Sequence, residues 1–257
     1  SSFAYFDSQS ILIIAIIFMI LGSFPFLVLA QTTPKNPFAT FRDQQVKIFL
    51  LLLLISISLI YFFAKNYLDG SEINKIITIS FNTISIISGT GFVSENFESW
   101  GNYASVLFLI LMFIGGCAGS TTGGLKVFRF QILFKYISLH LKKMLQPHAV
   151  LAKHFNGKKI QESTYESVMS FFFIYILTFA ISALLLSFSG LDFLTCISAA
   201  ASAISNVGPG LGDIIGPEGN YNILNNYSKL VLIFTMFLGR LEMLTILVLF
   251  LPSFWKN

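Results

Sequence analysis

The chain has 257 residues and a formal net charge of +4 at pH 7, and 55% of its residues are hydrophobic whereas only 11% are charged. Soluble globular domains carry about 25% charged residues, so this composition excludes an ordinary soluble enzyme, a disordered chain and a basic nucleic-acid-binding domain. The two cysteines, Cys117 and Cys196, lie in apolar sequence and provide neither a disulfide framework nor a metal-binding spacing.

Five apolar segments are predicted to cross a membrane, because a spanning helix needs about 20 apolar residues. In chain order they are 11–30, 48–64, 106–114 with a continuation from 125, 168–187 and 230–255. A glycine cluster interrupts the third segment. The chain starts at Ser1, without a methionine or a basic segment before the first span, so we expect no signal peptide and further spans upstream.

The distribution of charge predicts how these spans are oriented. Segments 31–47 and 125–164 hold 11 of the 16 basic residues, whereas segments 65–105 and 188–229 hold three basic and seven acidic residues. Cytoplasmic loops carry an excess of lysine and arginine. The first pair of segments is therefore predicted to be cytoplasmic and the second pair external, and five spans alternate across the membrane without conflict.

The two external segments are predicted to hold matching short helices. Residues 73–87 (INKIITISFNTISII) and 193–204 (FLTCISAAASAI) are apolar, but they are too short or too polar to span, as expected for re-entrant helices. Each follows a residue that can cap a helix, Ser71 or Asp192. The chain therefore reads twice as span, short helix, glycine-bearing loop and span.

The glycine-bearing loops, 88–92 and 205–210, are candidate ion-binding segments, and their glycines Gly91 and Gly208 are 117 residues apart. Non-helical backbone at membrane depth is tolerated only where it is buried in protein or lines a cavity. Ion channels use such loops to present carbonyl oxygens to a dehydrated cation, and the negative end of a helix dipole favours that cation. A simple connector is the alternative for either loop alone.

The interruption of the third span, residues 115–124, contains five glycines in ten residues. Each glycine destabilises a helix by about 1 kcal/mol relative to alanine, so the span is predicted to be broken here. The alternative is a packing groove for a neighbouring helix, since small residues permit close approach. The contiguous glycine pairs favour the broken helix.

Arg240 lies inside the last predicted span. A charge at that depth costs about 2.5–3.5 kcal/mol, so its side chain should face a partner or water. A pair with Glu242 is disfavoured because residues two apart on a helix do not face each other. A pair with another buried acid is the remaining structural alternative to a place in a pore.

Four stretches together resemble the TrkH/TrkG/KtrB potassium transporters, and in particular the TrkH branch. The stretch GGCAGSTTGGLKV resembles the broken-helix motif of that family, and NVGPGLG resembles its fourth filter loop. LGRLE and the ending LPSFW are similar to its last helix. In this chain the four stretches occupy 115–127, 206–212, 238–242 and 251–255, and the likeness runs over essentially the whole sequence.

The resemblance implies an all-α membrane protein built from tandem span, pore helix, filter loop and span repeats, similar in architecture to a potassium channel. The family has four such repeats, and this chain would supply the third and fourth. Residues 1–47 would hold the last helix of the second repeat and a cytoplasmic linker. Residues 48–145 would form the third repeat, with a broken second helix, and 146–257 a basic cytoplasmic linker and the fourth repeat.

The resemblance also implies the functional residues. Gly89 stands where many relatives have a hydroxyl residue, and local bonding within the turn is the alternative role for the side chains of Thr90 and Asn206. Carbonyls that replace water around K⁺ would belong to Ser88, Gly89, Thr90, Gly91, Ser205, Asn206, Val207 and Gly208. The intramembrane gate would comprise Gly115, Gly116, Gly119, Ser120, Thr121, Thr122, Gly123 and Gly124, with Arg240 in the pore beside them.

The function implied is transport of potassium, or of another monovalent cation, across a bacterial inner membrane by a multi-pass protein without enzymatic activity. K⁺ would be the transported ion, with no covalently bound cofactor. Implied partners are the N-terminal half of the same transporter, a second copy in a homodimer, a cytoplasmic TrkA/KtrA-type nucleotide-binding ring and membrane lipids, but no nucleic acid.

Two alternatives stay open at this stage, a secondary transporter of another small cation or solute and a non-conducting fragment of a split transporter. An intramembrane enzyme is disfavoured because the spans hold neither a nucleophile with a base nor paired acids. His140, His148 and His154 lie in the basic segment without metal-ligand spacing and are expected to be solvated.

Overall fold

A computed structural model describes residues 3–6, 8–32, 39–146, 154–155, 158–159, 161–240, 248 and 254–256. The described part is mainly helical. Its ten α-helices are α1 (Gln9–Gly22), α2 (Phe26–Ala30), α3 (Ala39–Arg42), α4 (Gln44–Ala64), α5 (Glu72–Ile87), α6 (Asn102–Met112), α7 (Val127–Leu145), α8 (Glu162–Ser187), α9 (Phe193–Ser205) and α10 (Asn226–Arg240). The strands β1 (His154–Phe155) and β2 (Lys158–Lys159) form one short antiparallel pair.

Among the described residues, α4 and α8 are long and apolar enough to cross a membrane. Both carry large apolar side chains on their outer surface, such as Phe62 on α4 and Phe173 on α8, each more than 60% exposed. Such a surface would be unfavourable in water and is favourable in lipid. Asp43 caps α4 by accepting the backbone N–H groups of Gln45 and Val46, so α4 begins four residues before the predicted span.

The first predicted span, 11–30, is wrong as a single helix. Helix α1 ends at Gly22, and α2 begins only at Phe26, because Pro25 lacks the N–H group that a continuous helix would need. The chain bends between the two helices, and the backbone carbonyls of Gly22 and Ser23 are left to accept bonds from elsewhere in the protein.

The predicted break in the third span is confirmed, because α6 ends at Met112 and α7 begins at Val127. The predicted loop that follows is partly helical: α7 continues to Leu145, and its last turn holds two lysines that interact favourably with the negative end of the helix dipole. Helix α8 begins at Glu162, six residues before the predicted span. His148 and most of the predicted fifth span beyond Arg240, including Glu242, lie outside the described residues.

The two predicted short helices are confirmed as α5 and α9, and each packs against several neighbouring helices. Ser71 accepts the Asn74 N–H at the start of α5, and Asp192 accepts the Thr195 N–H at the start of α9. Helix α5 packs against α1, α4 and α6, and α9 packs against α8 and α10. Small side chains let the surrounding helices approach α9 closely, and ten of its 13 residues are buried.

Candidate functional site

The loops that follow α5 and α9 have the same backbone hydrogen bonds at positions 117 residues apart. The Thr90 N–H donates to the Ser85 carbonyl at 3.0 Å, and the Val207 N–H donates to the Ser202 carbonyl at 3.0 Å. The N–H groups of Gly89 and residue 206 also bond equivalently, each to the carbonyl three residues earlier at 3.1 Å. The sequence repeat is therefore a structural repeat, residue for residue, at the end of each short helix.

Both loops pass through left-handed backbone conformations at the same two positions. The φ angles are +65° at Gly89 and +54° at Asn206, then +72° at Gly91 and +120° at Gly208. Asn206 is the only described non-glycine residue with positive φ. Glycine and asparagine are the residues that adopt this conformation most readily, which explains why Gly89 occupies the first of these positions in the loop after α5.

The two loops lie directly against each other. A Cβ atom on Gly91 would lie 2.0 Å from the Val207 carbonyl oxygen, and one on Gly208 would lie 3.7 Å from the Gly91 Cα. The first distance is far inside van der Waals contact, so only glycine fits at position 91. The fold thus brings together the two segments that the sequence analysis singled out separately.

The carbonyls of the two loops are largely without internal hydrogen-bond partners. Among the residues that the structure describes, only the Gly208 carbonyl accepts a hydrogen bond, from the Tyr221 hydroxyl at 2.8 Å. The other seven carbonyls belong to Ser88, Gly89, Thr90, Gly91, Ser205, Asn206 and Val207. A buried backbone carbonyl needs a hydrogen-bond donor or a cation as its partner, and the donor can be water or another part of the chain.

The two polar side chains of the loops are engaged in different ways. The Thr90 hydroxyl bonds to the Ser88 hydroxyl at 2.7 Å, so this side chain bonds within its own turn. The Asn206 amide instead donates to the Met236 carbonyl on α10 at 3.1 Å. The local alternative therefore describes Thr90 and not Asn206.

A cavity of about 890 Å³ opens against both loops. Thr90, Gly91, Val207 and Gly208 line it on the loop side, and Tyr221 lines it from the segment before α10. The volume is enough for several water molecules, so the loops face a solvent-sized space rather than packed protein.

The glycine-rich segment between α6 and α7 is a loop whose two ends are hydrogen-bonded to each other. The Gly115 N–H donates to the Leu125 carbonyl at 2.9 Å, and the Leu125 N–H donates to the Phe113 carbonyl at 2.9 Å. A Cβ atom on Gly115 would lie 2.0 Å from the Gly123 carbonyl oxygen. The two ends of the loop can approach this closely only because residue 115 is glycine.

The same loop lies against the ends of both short helices. A Cβ atom on Gly123 would lie 2.1 Å from the Ser205 carbonyl oxygen, and one on Gly89 would lie 3.5 Å from the Gly123 backbone nitrogen. The structure therefore brings the predicted gate residues next to the predicted filter residues of both repeats, at the end of the filter loops nearest the short helices.

The glycine-rich loop is held by the bend between α1 and α2 and by α4. The Cys117 N–H donates to the Ser23 carbonyl at 3.0 Å, and the Thr121 N–H donates to the Gly22 carbonyl at 3.3 Å. The Gln45 side chain accepts the Ala118 N–H at 3.1 Å. The break that the sequence analysis missed in the first span thus supplies two of the carbonyls that fix this loop.

Arg240, at the end of α10, donates from Nη1 to the Thr121 carbonyl at 2.9 Å. Its side chain is exposed, and it borders a cavity of about 250 Å³ together with Lys126 and Arg129. The Arg129 guanidinium lies 3.8 Å from the centre of the Phe171 ring. Arg240 therefore contacts the glycine-rich loop directly.

Comparison with known proteins identifies the family. A family model described as "TrkH: Cation transport protein" matches residues 1–257. The chain belongs to the TrkH family. It is 38% identical over 254 residues to the Trk system potassium uptake protein TrkI of Halomonas elongata, covering 99% of this chain and 51% of that relative. It is 34% identical to the Trk system potassium uptake protein TrkH of Escherichia coli K12, covering all of this chain and 53% of the relative.

The TrkH fold is shown by a solved structure as well. The crystal structure of the potassium transporter TrkH from Vibrio parahaemolyticus matches with a TM-score of 0.90 at 31% identity, over 99% of this chain and 55% of that chain. This TrkH-family chain spans about half the length of the relatives it matches and corresponds to their C-terminal half. The resemblance and the all-helical membrane-protein fold predicted from the sequence are both confirmed.

Three further residues of this TrkH-family chain contact the site but were not singled out from the sequence. Ser202 accepts the Gly208 N–H, and Tyr221 donates to the Gly208 carbonyl. Glu98 accepts the Gly212 N–H at 2.6 Å and so joins the outer segments of the two repeats. The 117-residue spacing would have indicated Ser202, paired with Ser85, but no sequence pattern indicates the other two.

Burial raises the pKa of the Glu98 carboxyl above its ordinary value, and the hydrogen bond from Gly212 offsets part of that effect. The negative charge of Asp213 nearby raises the pKa further. Glu98 therefore gives the contact between the two outer segments a dependence on pH.

Proposed function

We propose that this chain forms half of a transmembrane pathway for K⁺, with a carbonyl-lined selectivity filter and an intramembrane gating loop. The proposal rests above all on seven carbonyls, in two equivalent and touching loops, that accept no hydrogen bond from the part of the chain that the structure describes. Carbonyl dipoles at this density replace the hydration shell of a monovalent cation, which is the chemistry of a selectivity filter. The names of the relatives, potassium uptake proteins, agree with this ion.

The short helices favour the same occupant. Both α5 and α9 end at the loops, so the negative ends of their dipoles lie next to the carbonyls. The described loop residues, 88–91 and 205–208, carry no formal charge. The helix dipoles thus favour a cation over an anion. Because the loops carry no formal charge, they hold a singly charged cation weakly enough for it to leave.

The glycine-rich loop 115–124 is proposed as the gate. It lies against Ser205 and Gly89 at one end of the filter loops, and Arg240 bonds to it at Thr121. A loop in this place blocks a permeating ion, and the positive charge of Arg240 adds an electrostatic barrier. Deletion within 115–124 is expected to raise ion flux; unchanged flux, with the protein inserted in the membrane, would contradict a gate.

The wider assembly follows from the family and is proposed on that basis. The pathway would be completed by an upstream half of the same transporter, which supplies two more loops. Residues 1–47 would contribute the last helix of the second repeat and a linker, 48–145 the third repeat, and 146–257 a basic linker and the fourth. The protein would be a multi-pass component of a bacterial inner membrane.

Further partners are proposed at the basic side of the molecule. The long helix α7 ends with Lys142 and Lys143, which suit anionic lipid headgroups or a cytoplasmic TrkA/KtrA-type nucleotide-binding ring. A second copy of the transporter in a homodimer completes the assembly that the family implies.

Growth under K⁺ limitation tests the proposal. A bacterial strain without its own K⁺ uptake systems receives this chain alone, or this chain together with the upstream coding sequence of its gene. We expect rescue of growth at low K⁺ in the second case and none in the first, because one half supplies only two of the four loops. No rescue in the second case, with membrane insertion confirmed by immunoblotting, would refute K⁺ transport.

A further inference from the structure

The peptide groups at Gly208 are held on both sides by side chains. The Gly208 N–H donates to the Ser202 hydroxyl oxygen at 3.0 Å, and the Gly208 carbonyl accepts the Tyr221 hydroxyl at 2.8 Å. Ser202 is only 2% exposed, on α9, and Tyr221 begins a short 3-10 turn that the Asn220 side chain caps at the Asn222 N–H. Both holding groups are therefore themselves fixed by the fold.

The equivalent glycine of the other repeat is held differently. The Gly91 N–H donates to the Ser85 carbonyl at 3.2 Å and not to the Ser85 hydroxyl, which is buried without a hydrogen-bond partner among the described residues. The Gly91 carbonyl accepts no hydrogen bond from that part of the chain. The counterpart of Tyr221 in the other repeat is Phe97, because each begins a 3-10 turn that the preceding asparagine caps, and phenylalanine has no hydroxyl to donate. The two loops thus share a backbone path but not its restraints.

The difference affects the orientation of the carbonyls. The φ angle at Gly208 is +120°, whereas it is +72° at Gly91. Rotation of the peptide plane between residues 207 and 208 breaks the bond to Ser202, and rotation of the plane between residues 208 and 209 breaks the bond to Tyr221. The plane between residues 91 and 92 can rotate without breaking any hydrogen bond in the described structure. The loop after α9 is the more rigid of the two.

We propose that Tyr221 and Ser202 are positioning residues that hold the loop 205–208 in one orientation and thereby set how strongly the pathway prefers K⁺ over Na⁺. This inference rests on the proposed function, since it concerns the same carbonyls. A restrained carbonyl cannot move inward to coordinate the smaller Na⁺ ion, so its restraint favours the larger ion through the size of the cavity.

Tyr221→Phe removes one oxygen atom and leaves the ring in place. Loss of one neutral hydrogen bond corresponds to a change of about three- to tenfold in an equilibrium constant. We therefore expect Na⁺ to inhibit Rb⁺ uptake at three- to tenfold lower concentration in the variant than in the wild type. Ser202→Ala is expected to shift Na⁺ inhibition in the same direction.

Ser85→Ala is the matched control, because Ser85 occupies the same position in the other repeat and is equally buried, but its hydroxyl has no partner in the described structure. Its carbonyl, which bonds the loop, is unchanged by the substitution. Each variant is expressed with the upstream coding sequence in the strain without K⁺ uptake systems, and membrane abundance is measured by immunoblotting.

Wild-type Na⁺ inhibition in Tyr221→Phe would overturn the inference, as would a shift in Ser85→Ala equal to that in Ser202→Ala. If Tyr221→Phe does not reach the membrane, Ser202→Ala against Ser85→Ala decides the question. Absence of Rb⁺ uptake by the wild type would refute the proposed function and this inference together. Wild-type uptake with unaltered selectivity in the variants would refute this inference alone.

Discussion

Arg240→Ala tests the contact between α10 and the glycine-rich loop. The Arg240 guanidinium donates to the Thr121 carbonyl at 2.9 Å, and hydrogen bonds from charged groups contribute about 1.5–3 kcal/mol. Because the Arg240 side chain is exposed, the lower limit of about 1.5 kcal/mol applies. If the loop leaves Arg240 when the pathway opens, the substitution raises the ratio of open to closed protein about tenfold.

The assay is the initial rate of Rb⁺ uptake at saturating Rb⁺, divided by the amount of transporter in the membrane. We expect a several-fold higher rate in Arg240→Ala. Lys135→Ala is the control, because Lys135 is also a cation on a helix, α7, but it borders neither the cavity at Arg240 nor the cavity at the loops 88–91 and 205–208. Its rate should stay within twofold of the wild type.

Two results would refute this reasoning. The first is an uptake rate per transporter in Arg240→Ala equal to that of the wild type. The second is a loss of uptake that follows a loss of protein, since that would show that Arg240 stabilises the fold and does not restrain the loop.

Two further predictions concern residues between the two repeats. Gly91→Ala places a Cβ atom 2.0 Å from the Val207 carbonyl at positive φ, so uptake should fall more than tenfold at unchanged membrane abundance, whereas Gly190→Ala, also at positive φ but in open space, should not change uptake; equal uptake in both variants would contradict the close contact. Because burial raises the pKa of Glu98, its contribution to stability is greatest below the ordinary glutamate pKa of about 4.3 and declines as pH rises through the higher pKa of the folded state. In detergent, the thermal unfolding temperature of Glu98→Gln should therefore fall less than that of the wild type between about pH 4 and 8. Identical pH profiles of the two proteins would refute this prediction.

Local features of the fold were predictable because short-range chemistry determines them. Ser71 and Asp192 mark the starts of two helices through their own side chains, and five glycines in ten residues mark a break whatever surrounds it. The break at Pro25 is equally local, but the apolar character of 11–30 on both sides of the proline outweighed it in the prediction.

Contacts between segments that are distant in the sequence were harder to predict. Tyr221 meets Gly208 because the segment before α10 folds back over the loop that follows α9, and Glu98 meets Gly212 across 114 residues. Neither contact leaves a periodic or compositional signal. The contact between Arg240 and the glycine-rich loop was predicted only from the family resemblance. A charge in an apolar span indicates that a partner exists, but it does not indicate which one.

The peptide groups on either side of Thr121 are hydrogen-bonded to two helices that are far apart in the sequence, α1 and α10. The carbonyl of Gly22 at the end of α1 holds the Thr121 N–H at 3.3 Å, and Arg240 at the end of α10 holds the Thr121 carbonyl at 2.9 Å. A separation of α1 from α10 by about one ångström lengthens at least one of these bonds beyond hydrogen-bonding range. A small movement between α1 and α10 therefore releases Thr121 of the glycine-rich loop from one of the two helices.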